Sequence, residues 1–432
     1  MSGAPRGMAV RLRAAFGLGS SQALVRLVCS FISIKLTAVY LGPAGLALIA
    51  QFNNLVTLGQ GLLGAGVNTA MVRLTAEYAD QPQRRGTLWA TCLRLSLALG
   101  VAGLLLLLAL SPLLARRLFT DGAQLWIVWL AGAAIVVSLL NSLLLGALNG
   151  RRAIAAMVKA NVAATVLGLL VFAPACMLWG TAGGIVGSLL SYCLSLATTL
   201  CWCRLSGAVR ADDFRAAPSA AVTRQVLHYY PMLIAHATLT PLSVILVRDA
   251  VISTLSLDAA GLWQGAWRLS EVYTTIITTS VSLYFMPRLG ELASQPAALR
   301  REVWRTLGAV TAVTAAMALG IYLLRDLVVK LVFSAAFDGV QQLMPVQLLG
   351  DVLKMSAWTL GFVLVATLRS RWYMAIEIVA PAVLVASVHL LTPRLGAVGA
   401  MWAYVLAGLV QLLMAVAALR ALLFHRSPSD PS

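Results

Sequence analysis

The chain alternates between long apolar segments and short polar connections. A helix that crosses the hydrocarbon core of a bilayer needs about 20 mostly apolar residues. Several segment ends are marked by Gly or Pro, as in "LGPAG" at 41–45. The predicted spans lie near 17–40, 44–68, 88–111, 124–148, 154–178, 182–203, 226–253, 258–286, 303–324, 341–367, 372–392 and 396–423. The pattern therefore predicts an all-α membrane protein with twelve transmembrane helices.

The two halves of the chain resemble each other. Gly180 and Gly396 stand 216 residues apart in similar Gly-rich turns, and Gly183 and Gly399 have the same offset. An internal repeat with an even number of spans gives both halves the same orientation in the membrane. We therefore predict two six-helix bundles related by a pseudo-two-fold axis along the membrane normal, with a substrate site between them.

The predicted bundles occupy residues 1–205 and 226–432. The basic segment 206–225 separates them, and it lacks a long apolar run. We interpret this segment as a cytoplasmic linker that forms a solvated loop.

The chain carries a net charge of +17, although only 11% of its residues are charged and its mean hydropathy is +0.88. In a soluble protein such an excess would suggest a nucleic-acid partner. Here the predicted connections on the side of the termini hold twenty Lys and Arg residues, against five on the other side. This positive-inside bias places both termini in the cytoplasm and makes nucleic acid an unexpected partner.

The residues that build metal and catalytic sites are sparse. Most of the six cysteines lie in apolar runs, and the four histidines have no ligand spacing. The sequence contains no P-loop, nucleophile elbow or His-Glu-x-x-His motif. We predict no metal, no cofactor and no enzymatic activity.

Seven basic residues fall inside predicted spans, against four acidic residues in or near them. Such residues are functional candidates because burying a charge in a bilayer is unfavourable. Arg26 and Lys35 lie in the first span, about 13.5 Å apart in depth, and could contact a phosphate in succession. Arg248 lies near the end of the seventh span. The alternatives are snorkelling to the interface and helix–helix ion pairs.

The eighth predicted span mixes aromatic and polar residues, including Trp263, Gln264, Arg268 and Glu271. Helical spacing places Arg268 and Glu271 on one face. A row of polar and aromatic side chains is poorly suited to contact lipid and well suited to bind sugar rings. The alternative is interfacial Trp together with a structural ion pair.

Asp351 and Lys354 stand one helical turn apart in "QLLGDVLKMSAW", so their side chains can meet and neutralise each other. Two apolar residues at these positions would cost less free energy to bury in a membrane. The presence of a charged pair therefore favours a functional role. We predict an unequal pair in which Lys354 contacts an anionic substrate and Asp351 orients or neutralises Lys354. The alternative is a purely structural pair.

Three stretches, "KLTAVYLGPAGLALIAQF", "GLWQGAWRLSEVY" and "LLGDVLKMSAW", resemble the Wzx-type lipid-linked oligosaccharide flippases. These belong to the multidrug/oligosaccharidyl-lipid/polysaccharide exporter superfamily. The resemblance implies two lobes around a cationic cavity. It also implies flipping of an undecaprenyl-diphosphate-linked glycan, such as lipid III of enterobacterial common antigen or a similar short unit, to the periplasmic leaflet of a bacterial inner membrane. A glycan polymerase and a chain-length regulator are the further partners that it implies, besides membrane lipid.

The resemblance also implies site residues. Matching positions in the family fall on Arg26, Lys35, Arg248, Asp351 and Lys354. Arg268 departs from the small residue that the family has there, which hints at a different glycan.

Three other functions compete with this interpretation. A multidrug exporter would share the architecture, but the excess of embedded bases over acids favours an anionic substrate. A polymerase or other membrane enzyme would need a larger extramembrane loop or a catalytic cluster. An ATP-driven pump would need the P-loop that the sequence lacks.

Overall fold

The computed structural model describes residues 6–118, 124–292 and 295–424. Within these ranges the regular structure is helical, with no strand. The helices are α1 (Arg6–Tyr40), α2 (Gly42–Glu77), α3 (Pro82–Leu118), α4 (Leu125–Gly150), α5 (Ile154–Ser206), α6 (Ala220–His228), α7 (Tyr230–Thr254), α8 (Leu257–Leu292), α9 (Pro296–Leu323), α10 (Arg325–Val332), α11 (Val340–Ala366), α12 (Ser370–Leu395) and α13 (Ala397–Phe424). The all-α class is confirmed.

Ten helices in the described ranges are long and apolar enough to cross a membrane. One of them, α5, has 53 residues and is interrupted at Gly180, where φ is 58° and ψ is −139°. The interruption lies between the two spans predicted at 154–178 and 182–203. The helix α8 is not one of the ten, although its 36 residues extend over about 54 Å. The protein is a multi-pass membrane protein, and the count of twelve spans stays a prediction.

Unusual backbone conformations recur along the chain with the offset of the predicted repeat. Gly180 and Gly396, which are 216 residues apart, both have positive φ values, of 58° and 64°. Arg152 and Leu368 have the same separation, and both have a φ of 56°. A positive φ is uncommon outside Gly, so its recurrence is informative. These angles agree with the internal repeat, while the six-plus-six division and its axis stay predictions.

The chain forms two compact units. The first comprises Met1–Leu41 and Leu48–Pro241, and the second comprises Gly42–Ala47 and Leu242–Ser432. The core of the first unit includes the buried side chains of Val226 and Tyr230. These residues follow the predicted linker, so the first unit extends beyond the predicted bundle boundary.

The linker at 206–225 is largely exposed, but two of its apolar side chains pack within the first unit. Val209 is buried in the core of that unit. The ring of Phe214 lies 5.3 Å from the ring of Trp89 on α3. Both side chains remove apolar surface from water by packing, although the segment has no long apolar run that would predict it.

Phe214→Ala is expected to loosen this segment. Losing the contact with Trp89 should raise the rate of limited trypsin cleavage after Arg215 by about fivefold to tenfold, because the segment opens more often. Leu205→Ala, which changes an exposed side chain nearby, is the matched control and should leave the rate unchanged. Equal cleavage rates for Phe214→Ala and the wild type would contradict the packing role.

Candidate functional site

A group of polar and aromatic side chains is concentrated inside the second unit. It is contributed by α7, α8, α11 and α13, and we call it the polar cluster. Its members are Arg248, Trp263, Gln264, Trp267, Ser270, Glu271, Tyr273, Gln347, Asp351, Lys354 and Tyr404. The cluster contains six of the nine site residues predicted from the sequence, together with five residues that were not predicted as site residues.

Close packing of α11 against α13 makes the cluster possible. A side chain on Gly350 would collide with the ring of Tyr404, and Gly408 lies against the backbone of α11. Small residues at such crossings let helix backbones approach each other in membrane proteins. The Tyr404 ring therefore lies directly beside the turn of α11 that carries Asp351.

Asp351 is fully buried, and its carboxylate is surrounded by donors. Its Oδ2 accepts hydrogen bonds from the hydroxyls of Ser270 at 2.5 Å and Tyr273 at 2.6 Å. Its Oδ1 accepts from the hydroxyl of Tyr404 at 2.9 Å and from Nε2 of Gln347 at 3.3 Å. Four donors offset the loss of hydration that burial of a carboxylate entails. Asp351 thereby ties α8, α11 and α13 together.

Lys354 is held by aromatic rings. Its Nζ lies 5.1 Å from the ring centroid of Trp267 and 4.9 Å from that of Tyr404, which are cation–π distances. Within the described part of the chain, no carboxylate oxygen lies within 4.0 Å of this Nζ. Asp351 and Lys354 therefore form no direct ion pair in this structure, and their predicted unequal roles stay predictions. The two side chains are one turn apart, but Asp351 points to hydroxyl donors and Lys354 to ring faces.

Tyr404 connects the two charges. Its hydroxyl donates to Asp351, and its ring face lies next to the ammonium of Lys354. The carboxylate therefore fixes the ring on which Lys354 rests. Tyr404 therefore contacts both charged side chains, which do not form an ion pair with each other.

Arg248 is fully buried at the other end of the same series of rings. Its Nη2 donates to Oε1 of Gln264, and its Cζ lies 5.6 Å from the ring of Trp263. The Trp263 and Trp267 ring centroids are 5.4 Å apart, and that of Trp267 is 5.1 Å from Tyr404. Aromatic rings thus link the two cations. Direct contact between Arg248 and a ligand would require movement of the surrounding side chains.

Arg268 and Glu271 lie on a more exposed side of α8. They form an ion pair at 2.8 Å, with side chains that are 34% and 47% exposed. Glu271 also accepts a hydrogen bond from Nε1 of Trp267 at 3.2 Å. The structure contains the ion pair that the sequence offered as an alternative to sugar binding, and it places Trp263 and Gln264 inside the protein.

Arg26 and Lys35 belong to α1 in the first unit. Arg26 is exposed, and Lys35 is half-buried. Their predicted meeting with Arg248 at a single cavity stays a prediction.

Sequence reasoning missed two of the residues that hold Asp351. Gln347 lies four residues before Asp351 on α11, so helical periodicity could have placed it on the same face. Tyr404 is 53 residues away, and nothing in its local pattern connects it to Asp351. Among the described residues, no group of three or more His, Cys, Asp and Glu side chains could hold a metal ion.

Comparison with known proteins identifies relatives over most of the chain. The lipid III flippase of Escherichia coli (strain K12) is 28% identical over 386 residues, covering 89% of this chain and 92% of the relative. The lipid III flippase of Shigella flexneri matches with the same identity and coverage.

Solved structures share the fold. An inward-facing multidrug resistance MATE family transporter of the MOP superfamily superimposes with a TM-score of 0.75 at 18% identity, covering 93% of this chain and 98% of the transporter. The lipid II flippase MurJ, in an inward closed conformation, gives a TM-score of 0.70 at 12% identity and covers 93% of this chain and 87% of MurJ. The family described as "Polysaccharide biosynthesis protein" matches residues 38–342. With most of its length covered by that match, the chain belongs to the polysaccharide biosynthesis protein family.

Proposed function

We propose that this protein is a flippase for an undecaprenyl-diphosphate-linked oligosaccharide. It moves lipid III or a similar short unit from the cytoplasmic to the periplasmic leaflet by alternating access. The observation that carries the proposal is the similarity to lipid III flippases over 89% of the chain. The excess of embedded cations supports it, because the diphosphate of such a lipid is anionic.

The polar cluster supplies what the transfer of a diphosphate requires. A diphosphate carries about two negative charges that lose hydration on entering a low-dielectric layer. Fixed cations offset that loss, and Arg can bind phosphate through two parallel hydrogen bonds. Lys354 contacts the diphosphate in at least one state of the transport cycle, and Asp351 positions Lys354 through Tyr404. The prenyl tail stays in membrane lipid while the head group crosses.

The remaining candidates have subordinate roles in this proposal. Arg26, Lys35 and Arg248 bind the diphosphate at other stages. Trp263 and Gln264 support Arg248, and Arg268 and Glu271 contact the glycan.

A multidrug exporter is the second candidate, and the fold likeness to a MATE family transporter favours it. That likeness shows the architecture, which exporters and flippases have in common. Export of organic cations calls for embedded acids in excess, whereas this chain has more embedded bases.

The proposed cellular setting is a bacterial inner membrane with both termini in the cytoplasm. The protein acts there as a transporter without catalysing a covalent reaction. A glycan polymerase and a chain-length regulator are its proposed protein partners, because a flipped repeat unit is then available for polymerisation.

Complementation tests the function. Expression in an E. coli strain that lacks its own lipid III flippase should clear the lipid-linked intermediate that accumulates, as measured by mass spectrometry of lipid extracts. A strain lacking a cationic-drug exporter is the control, and its drug sensitivity should not change. Restored drug resistance without clearance of the intermediate would favour the exporter instead.

The proposed topology predicts the activity of reporter fusions. A phosphatase that is active only in the periplasm should be active when fused after Arg325 and inactive when fused after Arg152 or Arg215, because positive connections stay in the cytoplasm. Enzyme activity normalised to fusion protein in the membrane is the measurement. Strong activity after Arg215 would overturn the orientation.

A further inference from the structure

The helix α8 has a second polar face besides the one that contributes to the polar cluster. Successive residues of this face are three or four positions apart along the helix, except for one adjacent pair. All of them are exposed or half-buried. We call it the hydroxyl face, and it consists of Arg268, Glu271, Thr275, Thr278, Thr279 and Ser282. Glu271 belongs to both sets, because it also accepts a hydrogen bond from Trp267 in the polar cluster. It extends over roughly 20 Å of helix, which is most of the thickness of a hydrocarbon core.

The hydroxyl groups on this face are arranged as hydrogen-bond acceptors. Thr275 donates its proton to the backbone carbonyl of Glu271 at 2.6 Å, and Thr279 donates to that of Thr275 at 2.8 Å. Thr278 and Ser282 likewise donate to the carbonyls of Thr275 and Thr278, at 3.1 and 2.6 Å. A hydroxyl has one proton and two lone pairs, so each retains acceptor capacity. The carboxylate of Glu271 adds further acceptors.

Lipid is a poor neighbour for this face. Hydrocarbon offers no hydrogen-bond donors, and exposed charged side chains at membrane depth usually face a cavity or the protein interior. The Arg268–Glu271 ion pair, which is about half exposed at its carboxylate, marks the face as one that meets a polar environment. The face therefore requires an occupant that can donate hydrogen bonds.

The acceptor character of the face selects the chemistry of that occupant. Arg268 neutralises the carboxylate of Glu271, so the face offers a diphosphate no net positive charge, and its outward lone pairs cannot donate hydrogen bonds to phosphate oxygens. A glycan carries many hydroxyl donors and is complementary to them. Resting on the proposed flippase function, we infer that the hydroxyl face of α8 is a binding track for the glycan part of the substrate. The diphosphate is held elsewhere, at the cations.

The test measures transport by purified protein in proteoliposomes, using two probes. One is undecaprenyl diphosphate carrying the full oligosaccharide, and the other carries a single sugar. The variant Thr275→Val with Thr279→Val removes two acceptors while nearly preserving volume. It should slow transfer of the oligosaccharide by about tenfold and affect the single-sugar lipid little. Thr275→Ser with Thr279→Ser keeps both hydroxyls and should behave like the wild type.

Thr274→Val is the matched control. The Thr274 hydroxyl also donates to a backbone carbonyl of its own helix, that of Ser270, at 2.6 Å. Thr274 is not one of the residues of the hydroxyl face. If the double Val variant cannot be purified, Thr279→Val alone should show about a threefold loss on the oligosaccharide. Wild-type rates on both probes, or equal losses on both, would overturn the inference. So would a changed oligomeric state in the Val variants, which would identify a second copy as the occupant. Wild-type protein that transfers neither probe would instead contradict the flippase function itself.

Discussion

Lys354→Ala is expected to reduce transport of the lipid-linked oligosaccharide by about 100-fold, because it removes a charge-assisted contact of about 2–3 kcal/mol. Lys354→Arg should retain part of the activity, since the charge survives while its geometry changes. Both rates are measured by clearance of the accumulated lipid intermediate, normalised to protein in the membrane. The ammonium of Lys354 contacts two aromatic rings that the substitution leaves in place. We therefore expect Lys354→Ala to insert into the membrane like the wild type.

Lys159→Ala is the matched control for this prediction. Lys159 also lies over an aromatic ring, at 5.1 Å from that of Trp202, but it is outside the polar cluster. Its loss should reduce transport less than twofold, roughly the effect of an exposed surface contact. Full activity of Lys354→Ala would remove Lys354 from the substrate path.

The exchanged variant Asp351→Lys with Lys354→Asp distinguishes a substrate contact by Lys354 from a purely structural ion pair. The exchange would place an ammonium among hydroxyl donors and a carboxylate against ring faces, so it should be inactive. Full activity of the exchanged variant would show that only opposite charge matters and would contradict the substrate contact.

Asp351→Leu is expected to be the most destabilising single substitution in the second unit. It leaves three buried hydroxyls without the carboxylate that accepts their hydrogen bonds, and each unpaired group costs about 1–3 kcal/mol. The Gln347 amide keeps its hydrogen bond to Ser270. Detergent-solubilised protein should therefore unfold several degrees lower, or fail to accumulate. Asp351→Asn should be milder and should impair transport less than Lys354→Ala, because the amide oxygen still accepts hydrogen bonds. The melting temperature, followed by intrinsic Trp fluorescence, is the measurement.

Asp326→Leu provides the comparison, because Asp326 is an exposed carboxylate with a long ion-pair distance of 3.8 Å. It should change the melting temperature little. Tyr404→Phe isolates one bond to Asp351 while keeping the ring under Lys354, and it should lower stability by about 1 kcal/mol. A melting temperature for Asp351→Leu that equals the wild-type value would contradict the role of the carboxylate as a junction of three helices.

The helices were predictable because the length of an apolar segment, and the Gly or Pro residues at its ends, can be read directly from the local sequence. The break in α5 at Gly180 followed from the Gly-rich turn, and the 216-residue offset of that Gly from Gly396 reappears in their backbone angles. The linker was not predictable in the same way. The packing of Phe214, which is half-buried, depends on the ring of Trp89, which lies far away in the sequence.

The sequence singled out several residues of the polar cluster but not their contacts, and their roles in binding stay predictions. Charges in apolar segments identified Asp351 and Lys354, because membrane burial makes any charge unusual. Spacing suggested that they pair with each other. Most of their actual partners come from other helices, and Tyr404 reaches Asp351 only because Gly350 leaves room for its ring. Contacts of this kind depend on helix packing, which a hydropathy pattern does not encode.

The most direct test of the account is transfer of undecaprenyl-diphosphate-linked oligosaccharide between leaflets of proteoliposomes containing the purified protein. Access of a membrane-impermeant glycan-modifying reagent to the lipid reports which leaflet holds it. We expect rapid transfer by the wild-type protein, slow transfer by Lys354→Ala, and nearly unchanged transfer by Lys159→Ala. Wild-type vesicles with the same leaflet distribution as protein-free vesicles would contradict it.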